Sequence, residues 1–86
     1  MADPVSWFVI ARGWKVVDRD GREAGKVESV LGDEEKDIFT GLAISTGLLG
    51  KPRYVPAERI VSIVEGRVAL DLSHSDVGRL REIDAR

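Results

Sequence analysis

Apolar and polar residues alternate from Gly13 to Leu72, and the alternation breaks at glycine-bearing turns, the pattern of short strands in a small sheet. Trp14 to Asp18 and Glu23 to Leu31 read as strands flanking Arg19, Asp20, Gly21 and Arg22, and the Asp20-Gly21 pair predicts a tight two-residue hairpin turn. Gly25, just inside the second strand, predicts a bulge or a close crossing by another strand. Ile38, Leu42 and Ile44 alternate with Phe39, Gly41 and Ala43, so this strand has apolar or small residues on both faces and is expected to be buried on both. Tyr54, Val55 and Pro56 form a brief extended piece, and Ile60 to Val64 and Arg67 to Leu72 flank a turn at Glu65-Gly66. Ser73 and Asp76 have capping-box spacing, with Val77, Leu80 and Ile83 recurring at helical intervals, which predicts a terminal helix over about residues 74–84. Gly78 weakens that helix by roughly 1 kcal/mol relative to alanine, so it must dock its stripe on the sheet to survive. Before Gly13 the periodicity is too short to decide: Trp7, Phe8, Val9 and Ile10 fit a strand or a short helix begun at Ser6.

Composition narrows what such a sheet does. A chain of 86 residues is one domain near the low end of what buries a self-sufficient core, and it has no cysteine to staple that core. Dense packing, sheet closure or burial against a second copy must compensate, so a homodimer is expected. The absence of thiols excludes a cysteine nucleophile and cysteine-ligated zinc, and fits a cytoplasmic location. Thirteen basic and fifteen acidic side chains leave a net charge of −2, which gives a phosphate backbone no long-range attraction and argues against direct nucleic-acid binding. The apolar run from Trp7 to Ala11 is too short to span a bilayer, and neither a signal peptide nor a membrane anchor is expected.

Candidate chemistry is sparse. His74, the single histidine, lies between two serines near Asp71 and Asp76, but one titratable group without a convergent set reads as an exposed residue in a first helical turn. Asp33, Glu34, Glu35 and Asp37 gather four carboxylates around Lys36, yet lack the glycine-punctuated spacing of a calcium loop; a solvated connection accounts for them better. The segment from Gly47 to Arg53 combines two glycines, two leucines, a proline and two cations without the order of a phosphate-binding loop. It reads as a loop folded over the barrel end or as a partner contact, with Leu48 and Leu49 as apolar anchors and Lys51 and Arg53 as orienting charges. Trp7, Phe8 and Trp14 crowd most of the five aromatic residues into the opening segment, where packing is favoured over recognition and any exposed ring marks an interface.

Gly13 to Gly21, then Ala24-Gly25-Lys26-Val27, Asp37 to Leu42, Tyr54-Val55-Pro56 and the closing hairpin from Ile60 to Leu72 together resemble the PRC-barrel domain family. That resemblance implies a mainly β fold: a small antiparallel, strongly bent β-barrel of about six strands, its core at about residues 13–72, with a short C-terminal helix, forming a single domain over residues 1–86. PRC-barrels occur in the photosynthetic reaction-centre H subunit, in a bacterial ribosome-maturation factor and as stand-alone small proteins. With neither a membrane helix nor a second barrel ahead of it, this chain resembles the stand-alone form.

The function expected from these observations is a non-catalytic protein-protein interaction module without cofactor or metal, binding an unidentified protein partner and pairing with itself. The alternative is an accessory factor in ribosome or RNA processing that contacts a ribosomal protein.

Overall fold

The computed structural model describes residues 6–33, 35–47 and 50–83. Six strands follow in order: β1 (Lys15–Val17), β2 (Glu23–Asp33), β3 (Ile38–Ser45), β4 (Arg53–Pro56), β5 (Ile60–Val64) and β6 (Arg67–Leu70). Short 3₁₀ turns occupy Trp7–Val9 and Ala57–Arg59, and one helix, α1, spans His74–Gly78. The strands form one sheet in the order β4-β3-β2-β1-β6-β5. Neighbours are antiparallel except β1 and β6, which run parallel. The expected antiparallel, strongly bent sheet is found with one parallel pair: β6 arrives only after the chain has gone around the sheet, and it enters beside β1 in the same direction.

The sheet is strongly bent without being closed by hydrogen bonds. Its two edge strands, β4 and β5, are consecutive in the chain and joined by the Ala57–Arg59 turn, so a covalent corner bridges the seam. Ile60 caps that turn by donating its N–H to the Ala57 carbonyl. Bending brings Val16, Val27, Leu42, Ile44, Val55, Val68 and Leu70 together on the inner face, each essentially inaccessible to water. Each such side chain contributes about 1.5–3 kcal/mol by leaving water. As the sequence predicts, β3 is buried on both faces from Gly41 to Ile44.

Turn chemistry explains the first hairpin but corrects its length. Gly21 donates to the Asp18 carbonyl (2.9 Å), Asp18 donates to the Arg22 carbonyl (2.8 Å), and of the loop residues only Gly21 has a left-handed φ, of 83°. The loop is therefore three residues, Arg19-Asp20-Gly21, with glycine at the left-handed position, rather than a two-residue turn. Asp18 holds it from below: its carboxylate, 2% exposed, accepts the backbone N–H of Asp20 (2.9 Å) and of Arg22 (3.0 Å) through one oxygen. Gly25 lies where β3 leaves β2, and a Cβ at this position would overlap the Ser45 carbonyl, the close crossing that its lack of a side chain predicts.

The first and last described segments both pack on this sheet. The opening segment is a 3₁₀ turn, begun by the Ser6 hydroxyl oxygen accepting the Phe8 N–H (3.2 Å), which decides between strand and helix. The terminal helix has the expected capping box, the Ser73 hydroxyl accepting the Asp76 N–H (3.1 Å) and the Asp76 carboxylate accepting the Ser73 N–H (3.2 Å). It stops at Gly78 rather than near residue 84. Arg79 and Leu80 donate to the carbonyls of Asp76 and Val77, tightening the last turn, and the chain then extends along β4. Tyr54 donates to the Arg81 carbonyl and Ile83 to the Pro52 carbonyl (2.8 Å each), so backbone pairing on a sheet edge replaces the further helical turn.

Candidate interaction surfaces

Of the four loop residues singled out as a partner contact, two are placed. Arg53 opens β4 and turns its guanidinium to the C-terminal strap: Nη1 donates to the Leu80 carbonyl (2.6 Å) and Nη2 lies 3.9 Å from Glu82 Oε2. Arg81 stacks over the Tyr54 ring at 5.4 Å from its centre, so strap and strand grip each other from both sides. Arg53 therefore ties the segment from Leu80 to Glu82 to the sheet. Lys51 is exposed beside it, while Leu48 and Leu49 lie outside the described residues.

The aromatic opening segment divides in two. Trp7 packs against the core margin and stacks on Phe39, ring centres 5.0 Å apart and planes 10° from parallel. Phe8 stacks on Trp7 at 4.3 Å, yet its outer face remains open: Phe8 is 47% exposed and Val9 51%. Trp7, Trp14 and Phe39 thus serve packing, and Phe8 with Val9 forms an apolar patch beside the stacked rings. Stacking of this kind adds about 0.5–1.5 kcal/mol beyond area burial, which biases Phe8 toward this position. Sequence periodicity did not distinguish Phe8 from Trp7, because a single 3₁₀ turn is too short to show a face.

His74 is exposed in the first turn of α1, and both nearby acids are engaged elsewhere. Asp71 faces Arg59 at 4.0 Å, and Asp76 faces Arg19 at 3.5 Å while closing the capping box. The Asp76 carboxyl is held below its usual range, first by the Ser73 backbone N–H, then by the Ser73 hydroxyl, with Arg19 and Arg79 adding to the effect. In the acidic connection Asp33 accepts the N–H of Glu35 (3.0 Å) and of Lys36 (3.3 Å), folding its carboxylate onto its own backbone; Glu34 lies outside the described residues. Among the described residues no three His, Cys, Asp or Glu side chains converge as metal ligands would. No helix among them is long and apolar enough to cross a membrane.

These features define a class: a small, mainly β domain whose single bent sheet wraps one core and is capped by a short helix. The sequence profile of the PRC-barrel domain matches residues 11–77, and the chain belongs to that family. A search of curated proteins finds no match to the chain.

Proposed function

We propose that this PRC-barrel is a non-catalytic protein-interaction module that binds a protein partner and also pairs with itself. The observation that carries the reading is the Phe8–Val9 patch, two consecutive apolar side chains left half open to water, with Phe8 stacked on Trp7 and Trp7 on Phe39. An anchor already biased toward one position loses less conformational freedom on binding, which is how a small patch gains useful affinity. The Gly47–Arg53 loop supplies the second contact in this reading, through Leu48, Leu49 and Lys51, with Arg53 holding the strap beside it. A net charge of −2 favours a protein partner over nucleic acid, and the thiol-free composition fits work in the cytoplasm.

The test is quantitative capture of partners from the source cell, run in parallel with thermal unfolding. Phe8→Ser with Val9→Ser is expected to abolish a saturable, wild-type capture while leaving the melting midpoint within a few degrees. Leu48→Ser with Leu49→Ser is expected to weaken it. Capture at wild-type level by both folded variants would overturn this assignment of the contact surface.

A further inference from the structure

The strand registers assemble a feature from three separate parts of the sequence. Lys26 on β2 pairs with Lys15 on β1, and Lys15 in turn pairs with Arg67 on β6. Directly paired residues project from the same face of a sheet, so the three cations stand in one row. Val27, Val16 and Val68, the next residue on each strand, are all buried inward, which puts the row on the outer wall. Adjacent strands lie about 4.8 Å apart, so the row spans roughly 10 Å. All three side chains are exposed, and none forms an ion pair among the described residues. Like charges placed directly opposite destabilise a sheet, and a carboxylate-bearing surface seated on the row would relieve that repulsion.

Two residues further along this face, Val17 pairs with Ala69. Together with Val61, which stands 65% exposed at the β5 bulge, they line a shallow concavity that Arg67 also borders. The outer wall thus offers a row of positive charge beside a mixed recess, whose aliphatic side chains stand with Asp18, Arg19 and an Asp71 that faces Arg59. The complementary pair of features occurs at the far end of β2. Asp33 pairs with Ile38 across the start of β3, Ile38 is 51% exposed, and Glu35 and Asp37 flank them with Lys36 the lone cation. Asp33 lies seven positions along β2 from Lys26, about 23 Å of strand.

We propose that two copies of this chain associate by seating the acidic β2–β3 tip of one on the cation row of the other, with Ile38 as an apolar anchor against Val17, Ala69 and Val61. This deepens the self-pairing in the function proposed above, and rests on it. Because row and tip ride on opposite ends of one strand, an antiparallel two-fold arrangement of the β2 strands engages both pairs at once and closes a dimer.

Sedimentation velocity of the full chain over a concentration series tests the proposal, with circular dichroism melts confirming that each variant folds. The wild type is expected to dimerise, and to do so at least tenfold more weakly in about 0.5 M salt than in about 0.05 M, since the contact is charged and near the surface. Lys15→Glu, Lys26→Glu and Arg67→Glu combined is expected to be monomeric, as is Asp33→Lys with Asp37→Lys, and mixing the two variants is expected to restore a heterodimer. If charge reversal on the row impairs folding, the glutamine substitutions at the same three positions are expected to weaken the dimer. A wild type that stays monomeric throughout overturns the self-pairing reading and this surface with it. A wild-type dimer that is indifferent to salt, survives the reversals, or is not restored on mixing overturns the surface alone. So does a row variant that keeps the dimer while losing an acidic partner protein.

Discussion

Gly25→Ala adds one methyl group at a point where the sheet has no space for it. The obstacle is the Ser45 carbonyl, with the Thr46 Cα a further 3.3 Å contact, and both are backbone that no rotamer change can move aside. Relief requires β2 and β3 to part near the Lys26–Ser45 pair, the last of their ladder at that end. Overpacking of this kind costs about 1–3 kcal/mol, and a rigid obstacle places the cost near about 2. Gly25 does not adopt a left-handed φ, so no backbone strain adds to it. Alanine narrows the unfolded ensemble, which returns about 0.5 kcal/mol. The net loss is about 1.5 kcal/mol, and in a domain of this size each 1 kcal/mol lowers the melting midpoint by about 4–8 °C, so a drop of about 6–12 °C is expected. Thermal unfolding followed by circular dichroism reads the midpoint, and urea denaturation with an unchanged slope assigns the loss to the native state. An unchanged or raised midpoint would refute the reasoning, because the two backbones would then be far enough apart for a side chain.

At Gly21 the opposite conditions hold: space is open around the position and φ is 83°. Gly21→Val is therefore expected to cost about 1–2 kcal/mol through backbone strain, while Gly21→Asn, which tolerates this region, costs clearly less; equal urea midpoints for the two would count against the turn assignment. Ser73→Ala removes the hydroxyl arm of the α1 cap, leaves the backbone N–H of position 73 donating to Asp76, and is expected to cost about 1 kcal/mol at neutral pH. The folded-state pKa of Asp76 lies below its unfolded value, so the stability linked to its charge is complete above the ordinary aspartate value of about 4 and is lost as pH falls through the lowered one. Only the part of the Ser73→Ala difference that the hydroxyl draws from the Asp76 charge is linked to this titration, because the backbone N–H remains; the difference should shrink in part in melts taken at progressively lower pH in that acidic range, and a constant difference would contradict the assignment.

Strands proved legible where side-chain alternation and turn residues agreed. Ile38 to Ile44, the two hairpins and the capping box are all local patterns, and each stands where it was expected. The parallel β1–β6 pairing was not legible, because nothing in Lys15-Val16-Val17 or Arg67-Val68-Ala69 encodes which distant strand lies beside it. The helix was overextended for a related reason: Leu80 and Ile83 keep a helical spacing, but the unpaired groups of β4 offered Arg81 and Ile83 backbone partners that no helical pattern reveals. Arg53 illustrates the limit for sites, since nothing in a glycine-rich loop reveals that the Leu80 carbonyl lies 2.6 Å from this guanidinium. The cation row was beyond reach altogether, as Lys15, Lys26 and Arg67 become neighbours only through two strand registers.

The strap across β4 also gives the domain a defined weak point. Arg81 is exposed within the segment that covers that edge among the described residues, so trypsin-like cleavage after it would release Glu82 and Ile83, and with them the Ile83–Pro52 backbone bond and the long Arg53–Glu82 ion pair. The core would lose little, but less of that edge would be covered, and exposed edges template intermolecular sheets. Limited digestion of this protein is then a route to aggregation before it is a route to unfolding, and the fate of the whole barrel in a protease-rich setting turns on residues that contribute almost nothing to its interior.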